Sequence, residues 1–454
     1  MEKRITPADF GSDTPPPRII GTECEYLLQG GGGLWWDIVS PKNIHNIGLG
    51  SKYEFTSNGS RTYIDLGKLI EYATPESLGP LDATVSDFAG VEVMRRLVMT
   101  SCVDYEGLYR QTGSFAQEKH NRRDKSTTRG FHENYLAPAE ATETEFFQKL
   151  LPSFLASKVF DGQGALTPKG YALKQKVWDC GGDPVTNTYH RQTTAGNKPM
   201  VMVRNDETAQ GDWRRVELRC VDGGLSPEAR VVALGATSLV LRLFEHPRFV
   251  KQSDLEEFAS LVSPADAAKI FAKDLDFNSR IASTDTQKNV TATSIQECFL
   301  DACESMSKEV ELPKDEQYAL DKWREITDRM KQAKIREGYA AGLRGICDNV
   351  ALFTKFQKHY PEEEWTPKNL EGLRVTQNWD KILPVGSAVK WWKNHGSPLL
   401  KSEAIKARLF EPPQTRAQRR SEKISDPAVE YVNWSGFAEN GDRSHESGSF
   451  GDVY

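Results

Sequence analysis

The chain has 454 residues and a formal net charge of -6, with 38% hydrophobic and 27% charged residues. This is the composition of a soluble globular protein, and the small net charge argues against a general nucleic-acid binder. Since no stretch of about 18 apolar residues occurs, we expect no membrane span. The seven cysteines form no CxxC pair, which favours reduced thiols and a cytoplasmic location.

Changes of composition predict four segments. Residues 1–17 are polar and proline-rich and should form a flexible lead-in. The length exceeds that of one ordinary domain, so we expect two domains. The larger is predicted over 18–360. A smaller C-terminal domain is predicted over 361–437, and the tail 438–454 has the composition of disorder.

The first predicted strand, Arg18 to Leu28, carries two acids on one side. Glu23 and Glu25 alternate with Thr22, Cys24 and Tyr26, so both carboxylates point to the same face. Two like charges destabilise a strand unless a cation lies between them, and Mg²⁺ prefers such oxygen ligands. The alternative is the exposed face of an edge strand.

The stretch Asn58 to Glu76 has the pattern of an active-site strand. Arg61, Tyr63 and Asp65 fall on alternate positions and therefore share a face, and Glu71 follows. Burying this face requires a partner for each polar group, which is expected of a site. The alternative is a solvated strand face beside a loop.

Further along, helices are predicted over 80–99, 144–160 and 226–245 from their apolar periodicity. Between the first two lies a polar, basic loop over 114–130. It leads into a short run with three potential ligands, His132, Glu133 and Asn134. The glycines at 30–33 lack the Gly-Lys-Ser/Thr sequence of a phosphate-binding loop.

Residues 201–221 are predicted to form a strand, a polar loop and a second strand. They concentrate four arginines around a polar loop: Arg204, Arg214, Arg215 and Arg219. The planar guanidinium group suits phosphate oxygens, so nucleotide phosphates are one explanation. A surface face of salt bridges is the other, and the spacing does not decide between them.

Several of these motifs together resemble a known family. Residues 18–26 (RIIGTECEY), the stretch NGSRTYIDLGKLIEYATPE, and His132-Glu133-Asn134-Tyr135-Leu136 are similar to the enzymes of pupylation, the Pup ligase and the depupylase (Pup deamidase). These are relatives of glutamine synthetase. The likeness covers most of the chain in the same order and continues to Pro-Pro-Gln-Thr-Arg-Ala near the C-terminus.

The resemblance implies an α+β fold, with a curved antiparallel glutamine synthetase-like sheet backed by helices and a small C-terminal domain. It implies ATP and Mg²⁺ as cofactors. Asp65 would be the catalytic aspartate, and Arg204 and Arg215 would hold phosphates, with Arg61 also on the nucleotide side and Trp434 against the adenine. The Mg²⁺ site would be formed by Glu23, Glu25, Tyr63, Glu71 and His132.

Within the family the first two motifs are closer to the depupylase. The expected function is therefore an ATP- and Mg²⁺-dependent amidase or isopeptidase that acts on the terminal Gln/Glu side chain of a small Pup-like modifier and its lysine-linked conjugates. The alternatives are a ligase that joins the modifier to lysine, and a divergent ATP-binding or ATP-hydrolysing paralogue with a regulatory role. A proteasome partner is left open.

The chain also departs from the family pattern. Members usually carry Arg-Arg-Leu-His-Val where this sequence has Arg-Arg-Val-Glu-Leu, so Glu217 stands at a histidine position. Residues 25–65 are too short to hold the regulatory loop that marks depupylases. These departures concern the parts of the site that face the modifier.

Overall fold

The structure is a computed structural model that describes residues 15–29, 35–65, 69–101, 104–110, 130–167, 170–187, 198–206, 208–209, 211–283, 289–366, 369–383, 386–395, 399–400, 402–439 and 448–449. The glycine run at 30–33 and nearly all of the predicted loop at 114–130 lie outside these residues.

The strands are short apart from the first. They are β1 Ile19–Gln29, β2 Ser51–Lys52, β3 Phe55–Thr56, β4 Arg61–Asp65, β5 Leu69–Ala73, β6 Ser77–Leu78, β7 Gly107–Arg110, β8 Phe131–Pro138, β9 Ala165–Thr167, β10 Gly170–Ala172, β11 Val185–Thr186, β12 Val201–Arg204, β13 Trp213–Leu218, β14 Ile281–Ala282, β15 Asn289–Val290, β16 Lys381–Leu383, β17 Val429–Val432, β18 Gly436–Glu439 and β19 Gly448–Ser449.

Twelve of the described strands form one large sheet with β1 near its centre. The main order is β11-β12-β13-β8-β1-β5-β4-β3-β2, and β6 and β7 also pair with β1. The pairings are antiparallel except for β11 with β12, which run parallel. The sheet is therefore antiparallel as expected, with one parallel pair at this edge.

The helices vary from one turn to six. They are α1 Trp35–Ile38, α2 Pro41–Asn46, α3 Gly79–Thr100, α4 Ala139–Thr142, α5 Glu145–Ser157, α6 Pro227–Glu245, α7 Pro247–Lys251, α8 Leu255–Ala259, α9 Pro264–Lys273, α10 Ala292–Ser307, α11 Lys314–Gln332, α12 Asp348–Gln357, α13 Leu370–Trp379, α14 Ser387–His395, α15 Ser402–Arg408 and α16 Arg416–Ser425.

Helices α3 and α6 lie against one face of the sheet. Alternate residues of β1, among them Ile20, Cys24 and Tyr26, are buried on this side, where α3 and α6 contact the sheet. Helix α6 is buried along nearly its whole length and also packs against α11. It begins after Ser226, whose side chain accepts a hydrogen bond from the Ala229 amide and so caps the helix. The predicted α+β class with helices backing the sheet is confirmed.

The segment Asn58 to Glu76 forms two strands rather than one. β4 and β5 pair as an antiparallel hairpin, in which Tyr63 lies opposite Glu71 and Asp65 opposite Leu69. Glu71 thus reaches the face of Tyr63 and Asp65 by cross-strand pairing. The proximity expected from the sequence is present, although the sequence pattern did not show that the segment divides into two strands.

The C-terminal part of the chain contacts the large sheet. β16 pairs with β7, and β17, β18 and β19 form a separate small sheet. The first residues of the predicted tail therefore belong to a strand, while the division at residue 360 stays a prediction. No helix among the described residues is both long enough and apolar enough to cross a membrane.

Candidate active site

The open face of the sheet carries polar side chains from several adjacent strands. Cross-strand partners point to the same face. Glu23 of β1 is paired with His132 of β8, and Glu25 with Glu71 of β5. Tyr63 of β4 continues this row beyond Glu71. The pairing gathers side chains that are far apart in the sequence.

Two acidic groups form on this face and share one residue. Ligand atoms of Glu23, Glu71 and His132 all lie within 4.8 Å of one another. The same holds for Glu25, Asp65 and Glu71. The structure therefore brings together five of the residues predicted from the sequence, in an arrangement that can hold divalent cations.

Glu71 is the residue at which repulsion between the clustered carboxylates has its largest effect. Burial, together with the neighbouring charges of Glu23, Glu25 and Asp65, raises the pKa of Glu71 well above its usual value. A hydrogen bond with Tyr63 opposes this shift. A bound divalent cation would favour the ionised carboxylate, because it supplies the opposite charge. These ligand atoms are therefore better stabilised with a bound metal ion than without one.

Glu23 has cationic neighbours in addition. Burial alone would raise its pKa, but a hydrogen bond to His132 and the charge of Arg215 outweigh burial and lower the pKa to about 2. His132 Nδ1 lies 3.2 Å from Glu23 Oε2, and Arg215 Nη1 lies 3.4 Å from Oε1. Glu23 is therefore ionised at neutral pH and links the acidic groups to the arginines.

Arg204 of β12 and Arg219, which follows β13, gather around Glu217. This carboxylate is almost fully buried; Arg204 Nη2 lies 2.8 Å from one oxygen, and Arg219 Nη1 lies 3.4 Å from the other. Arg215 lies closer to Asp206, at 2.7 Å, than to Glu217, at 4.0 Å. The members of the arginine cluster form ion pairs and also border the acidic groups, so the salt-bridge explanation applies to them, and phosphate binding stays a prediction. The residue that departs from the family pattern lies at the centre of the cluster.

We expect Glu217→Gln to lower the free energy of unfolding by about 2–3 kcal/mol. Removing one partner of a buried ion pair typically costs about 3–5 kcal/mol, and partial exposure of Arg204 reduces this cost. Urea unfolding at neutral pH measures the difference.

The matched control is Glu143→Gln. Glu143 is mostly exposed, and its carboxylate lies 3.7 Å from Arg214, the neighbour of Arg215 on β13. This change should cost less than about 1 kcal/mol. Equal losses in the two variants would contradict a special role of the buried carboxylate.

A pocket adjoins the acidic groups and the arginines. It contains about 530 Å³ of empty space, part of it open to solvent. Its lining includes Glu23, Asn134, Arg215, Thr74, Glu76 and Trp434. Trp434 therefore lies at the same site as Glu23 although 411 positions separate them in the sequence.

One wall of the pocket contains an ion cluster that the sequence analysis missed. Glu76 Oε1 lies 2.9 Å from Arg416 Nη2, and Glu76 also pairs with Arg420. Burial alone would raise the pKa of Glu76, but the charges of Arg420 and Arg416 outweigh burial and lower it to about 2. The available signal was the spacing of the two arginines, four residues apart on one helix.

We expect Glu76→Gln to lower the free energy of unfolding by about 3 kcal/mol at about pH 7. This follows from a pKa that falls from 4.5 to about 2 on folding. Since the folded-state pKa is the lower one, the contribution is complete above pH 4.5 and is lost as the pH falls towards 2. Urea unfolding of both proteins over this range should show the difference shrink, and a constant difference would contradict the assignment.

Other predicted residues have different positions. Arg61 pairs with Glu54 at 2.7 Å and lies over the ring of Tyr63, with Cζ 4.2 Å from the ring centre. Arg61 therefore lies on the predicted face, at the first residue of β4, whereas Asp65 is the last residue of that strand. Glu133 points to the other side of the sheet, where it is buried with Lys158 and Arg230. Its interpretation as a potential ligand beside His132 is wrong, because consecutive strand residues face opposite ways.

The sequence comparison decides the family. The family model described as Pup-ligase protein matches residues 39–437. The chain belongs to the Pup-ligase family. Among its relatives, the Pup–protein ligase of Acidimicrobium ferrooxidans is 28% identical over 288 residues, which cover 61% of this chain and 59% of that protein. That of Bifidobacterium animalis subsp. lactis is 27% identical over 401 residues, or 82% and 76%.

Solved structures show the same fold. The Pup ligase PafA in its complex with the prokaryotic ubiquitin-like protein Pup has a TM-score of 0.74 and 19% identity, covering 96% of this chain and 90% of that chain. PafA in complex with ADP has a TM-score of 0.68 and 18% identity, covering 85% and 84%. At these identities the likeness establishes the fold of this Pup-ligase family member.

The expectation of a depupylase-type amidase or isopeptidase is wrong. The family model is described as a ligase, and the curated relatives above are named Pup–protein ligases. The motifs that favoured the hydrolase, around Glu23 and Glu71, form the acidic groups, which do not distinguish the two reactions. Residues 25–65, which are too short to hold the regulatory loop that marks depupylases, agree with this correction.

Proposed function

We propose that this chain is an ATP-dependent carboxylate–amine ligase that joins the terminal carboxylate of a small Pup-like modifier to a lysine of a target protein. The observation that carries the proposal is the pair of acidic groups that share Glu71, next to Arg215 and a pocket on the same sheet face. The names of the relatives support the direction of the reaction.

The acidic groups are the proposed Mg²⁺ site. Its ligands would be Glu23, Glu25, Glu71 and His132, with Tyr63 orienting Glu71 through their hydrogen bond. The charge that collects at Glu71 supports this assignment, since carboxylates packed so closely need a cation. When bound, Mg²⁺ would screen the phosphate charge of ATP.

The remaining roles follow from the charges of the site. Arg215 and Arg204 would orient the phosphates of ATP, and Trp434 would contact the base from the pocket wall. Transfer of the γ-phosphoryl group to the modifier's carboxylate yields an acyl phosphate and ADP. Asp65, beside the cation site, would then act as the base that removes a proton from the lysine ammonium group, which is protonated at neutral pH.

The second step completes the ligation. The free lysine amine attacks the acyl carbon, the bond from this carbon to the phosphate oxygen breaks, and phosphate leaves. The product is an isopeptide bond. The chain would thus act on two proteins, the modifier and its target, with ATP as the third substrate.

Glu217 favours a second candidate, an ATP-binding protein without ligation. Its carboxylate forms ion pairs with Arg204 and Arg219, whose guanidinium groups would otherwise be available to bind phosphate. In such a protein the pocket would still bind nucleotide, but no conjugate would form.

Incubation of the purified chain with ATP, Mg²⁺, a Glu-ended Pup-like modifier and a lysine-containing protein tests the proposal. We expect a conjugate with the combined mass of the two proteins, and ADP in equal amount. A target whose lysines are dimethylated is the control and should give none. Nucleotide binding without any conjugate would refute ligation and favour the second candidate.

A further inference from the structure

Helix α16 packs closely on the turn that precedes β4. Gly59 in this turn has φ +83°, and a Cβ at this position would lie 2.8 Å from Ala417 Cβ. Ser421 donates a hydrogen bond to the carbonyl of Ser57. Since a side chain at Gly59 would displace the helix, the contact depends on glycine here.

The two arginines of α16 are buried against Glu76. The side chain of Arg420 is fully buried and that of Arg416 is 4% exposed. A buried guanidinium group needs a counter-charge and partners for its N–H groups. Glu76 provides the carboxylate, and the carbonyls of Gly59 and Trp434 accept from Arg420 at 2.9 and 3.0 Å.

Arg420 connects this cluster to Trp434. Its Cζ lies 4.7 Å from the centre of the Trp434 ring, which also packs edge-on against Phe55 at 4.9 Å. Trp434 and Arg416 line the same pocket as Glu23 and Arg215. A C-terminal segment therefore supplies part of the pocket lining, and Glu76 contacts this segment through Arg416 and Arg420.

We propose that Glu76 is a positioning residue for the nucleotide pocket. It holds Arg416 and Arg420, and through them α16 and Trp434, at the edge of the acidic site. The inference rests on the proposed function for the identity of the ligand as a nucleotide. Its consequence is specific: losing Glu76 should weaken nucleotide binding while leaving the chemical step intact, because Asp65 and the acidic groups keep their positions.

The test compares Glu76→Gln with the unaltered chain. We expect the dissociation constant of a fluorescent ADP analogue, and the KM for ATP, to rise about tenfold, with kcat for conjugation changed less than twofold. Glu76→Asp keeps the charge and should recover most of the affinity. Glu422→Gln removes an exposed carboxylate from the same helix and should bind nucleotide as the unaltered chain does.

A steric variant provides an independent readout. Gly59→Ala keeps every charge but should displace α16 at Ala417, so it should also raise the dissociation constant with kcat retained. If Glu76→Gln does not fold, Gly59→Ala and Glu76→Asp provide the test in its place. Unchanged nucleotide affinity in folded Glu76→Gln and Gly59→Ala, or a loss confined to kcat, would overturn the inference. If the unaltered chain itself bound no nucleotide, the proposed function would fail instead.

Discussion

Replacing Asp65 with asparagine should lower the rate of conjugation by about 10²- to 10⁴-fold, the usual effect of losing a general base, while ATP affinity stays within a few-fold. Asp65 lies at the end of β4, with a carboxylate oxygen within 4.8 Å of ligand atoms of Glu25 and Glu71. Asparagine keeps the shape but cannot accept the lysine proton. The rate of conjugate formation at saturating ATP measures the loss.

Two roles of Asp65 can be separated with a second acceptor. Hydroxylamine is largely unprotonated at neutral pH and attacks an acyl phosphate without a base. If Asp65 acts on lysine, the Asn variant should still form the modifier hydroxamate at nearly the normal rate. Loss of hydroxamate together with weaker Mn²⁺ binding would show that Asp65 serves as a metal ligand instead. Asp37→Asn, an exposed carboxylate outside the site, is the control.

The local part of the site could be predicted from the sequence, because strand alternation has a fixed period. The spacing of Glu23 and Glu25 placed both on one face, and that of Tyr63 and Asp65 did the same on β4. The same rule, applied to 131–136, predicts that Glu133 faces the core, where the structure places it beside Lys158. The error came from treating three neighbouring polar residues as one unit.

The long-range part could not be predicted in this way. Glu76 and Arg416 are 340 positions apart, and nothing in the pattern around either residue indicates the other. A carboxylate at the end of a strand and an arginine on a helix each have many possible partners. Only the packing of α16 on the turn at Gly59 selects this pair.

The direction of the reaction depends on features that local motifs do not contain. Acidic groups around Glu71 suit any reaction that uses a metal ion and a polyphosphate. Whether an amide is made or cleaved depends on what else the site binds and excludes. For this reason the shared motifs identified the family, while the comparison with relatives was needed to correct the activity.

Replacing Glu71 with glutamine should remove the residue that both acidic groups share. We expect Mn²⁺ affinity to fall by on the order of 100-fold or more, and conjugation to be lost with it. Without a cation the variant should be at least as stable as the unaltered chain. The raised pKa of Glu71 means that ionising it in the folded protein is unfavourable, so its contribution to stability declines as the pH rises through that pKa.

Glu71→Gln should preserve or raise the stability of the metal-free protein and lower that of the metal-bound protein. This difference in sign distinguishes the prediction from simple damage to the fold. In the presence of EDTA the thermal midpoint of Glu71→Gln should equal or exceed that of the unaltered chain, and increasingly so at higher pH. With Mg²⁺ and ATP the order should reverse, because only the unaltered chain gains stability from the bound cation. Glu54→Gln, an exposed acid that contacts Arg61, should respond to Mg²⁺ as the unaltered chain does. A lower midpoint for Glu71→Gln in EDTA would mean that this carboxylate stabilises the fold, and the assignment of Glu71 as the shared metal ligand would lose its electrostatic basis.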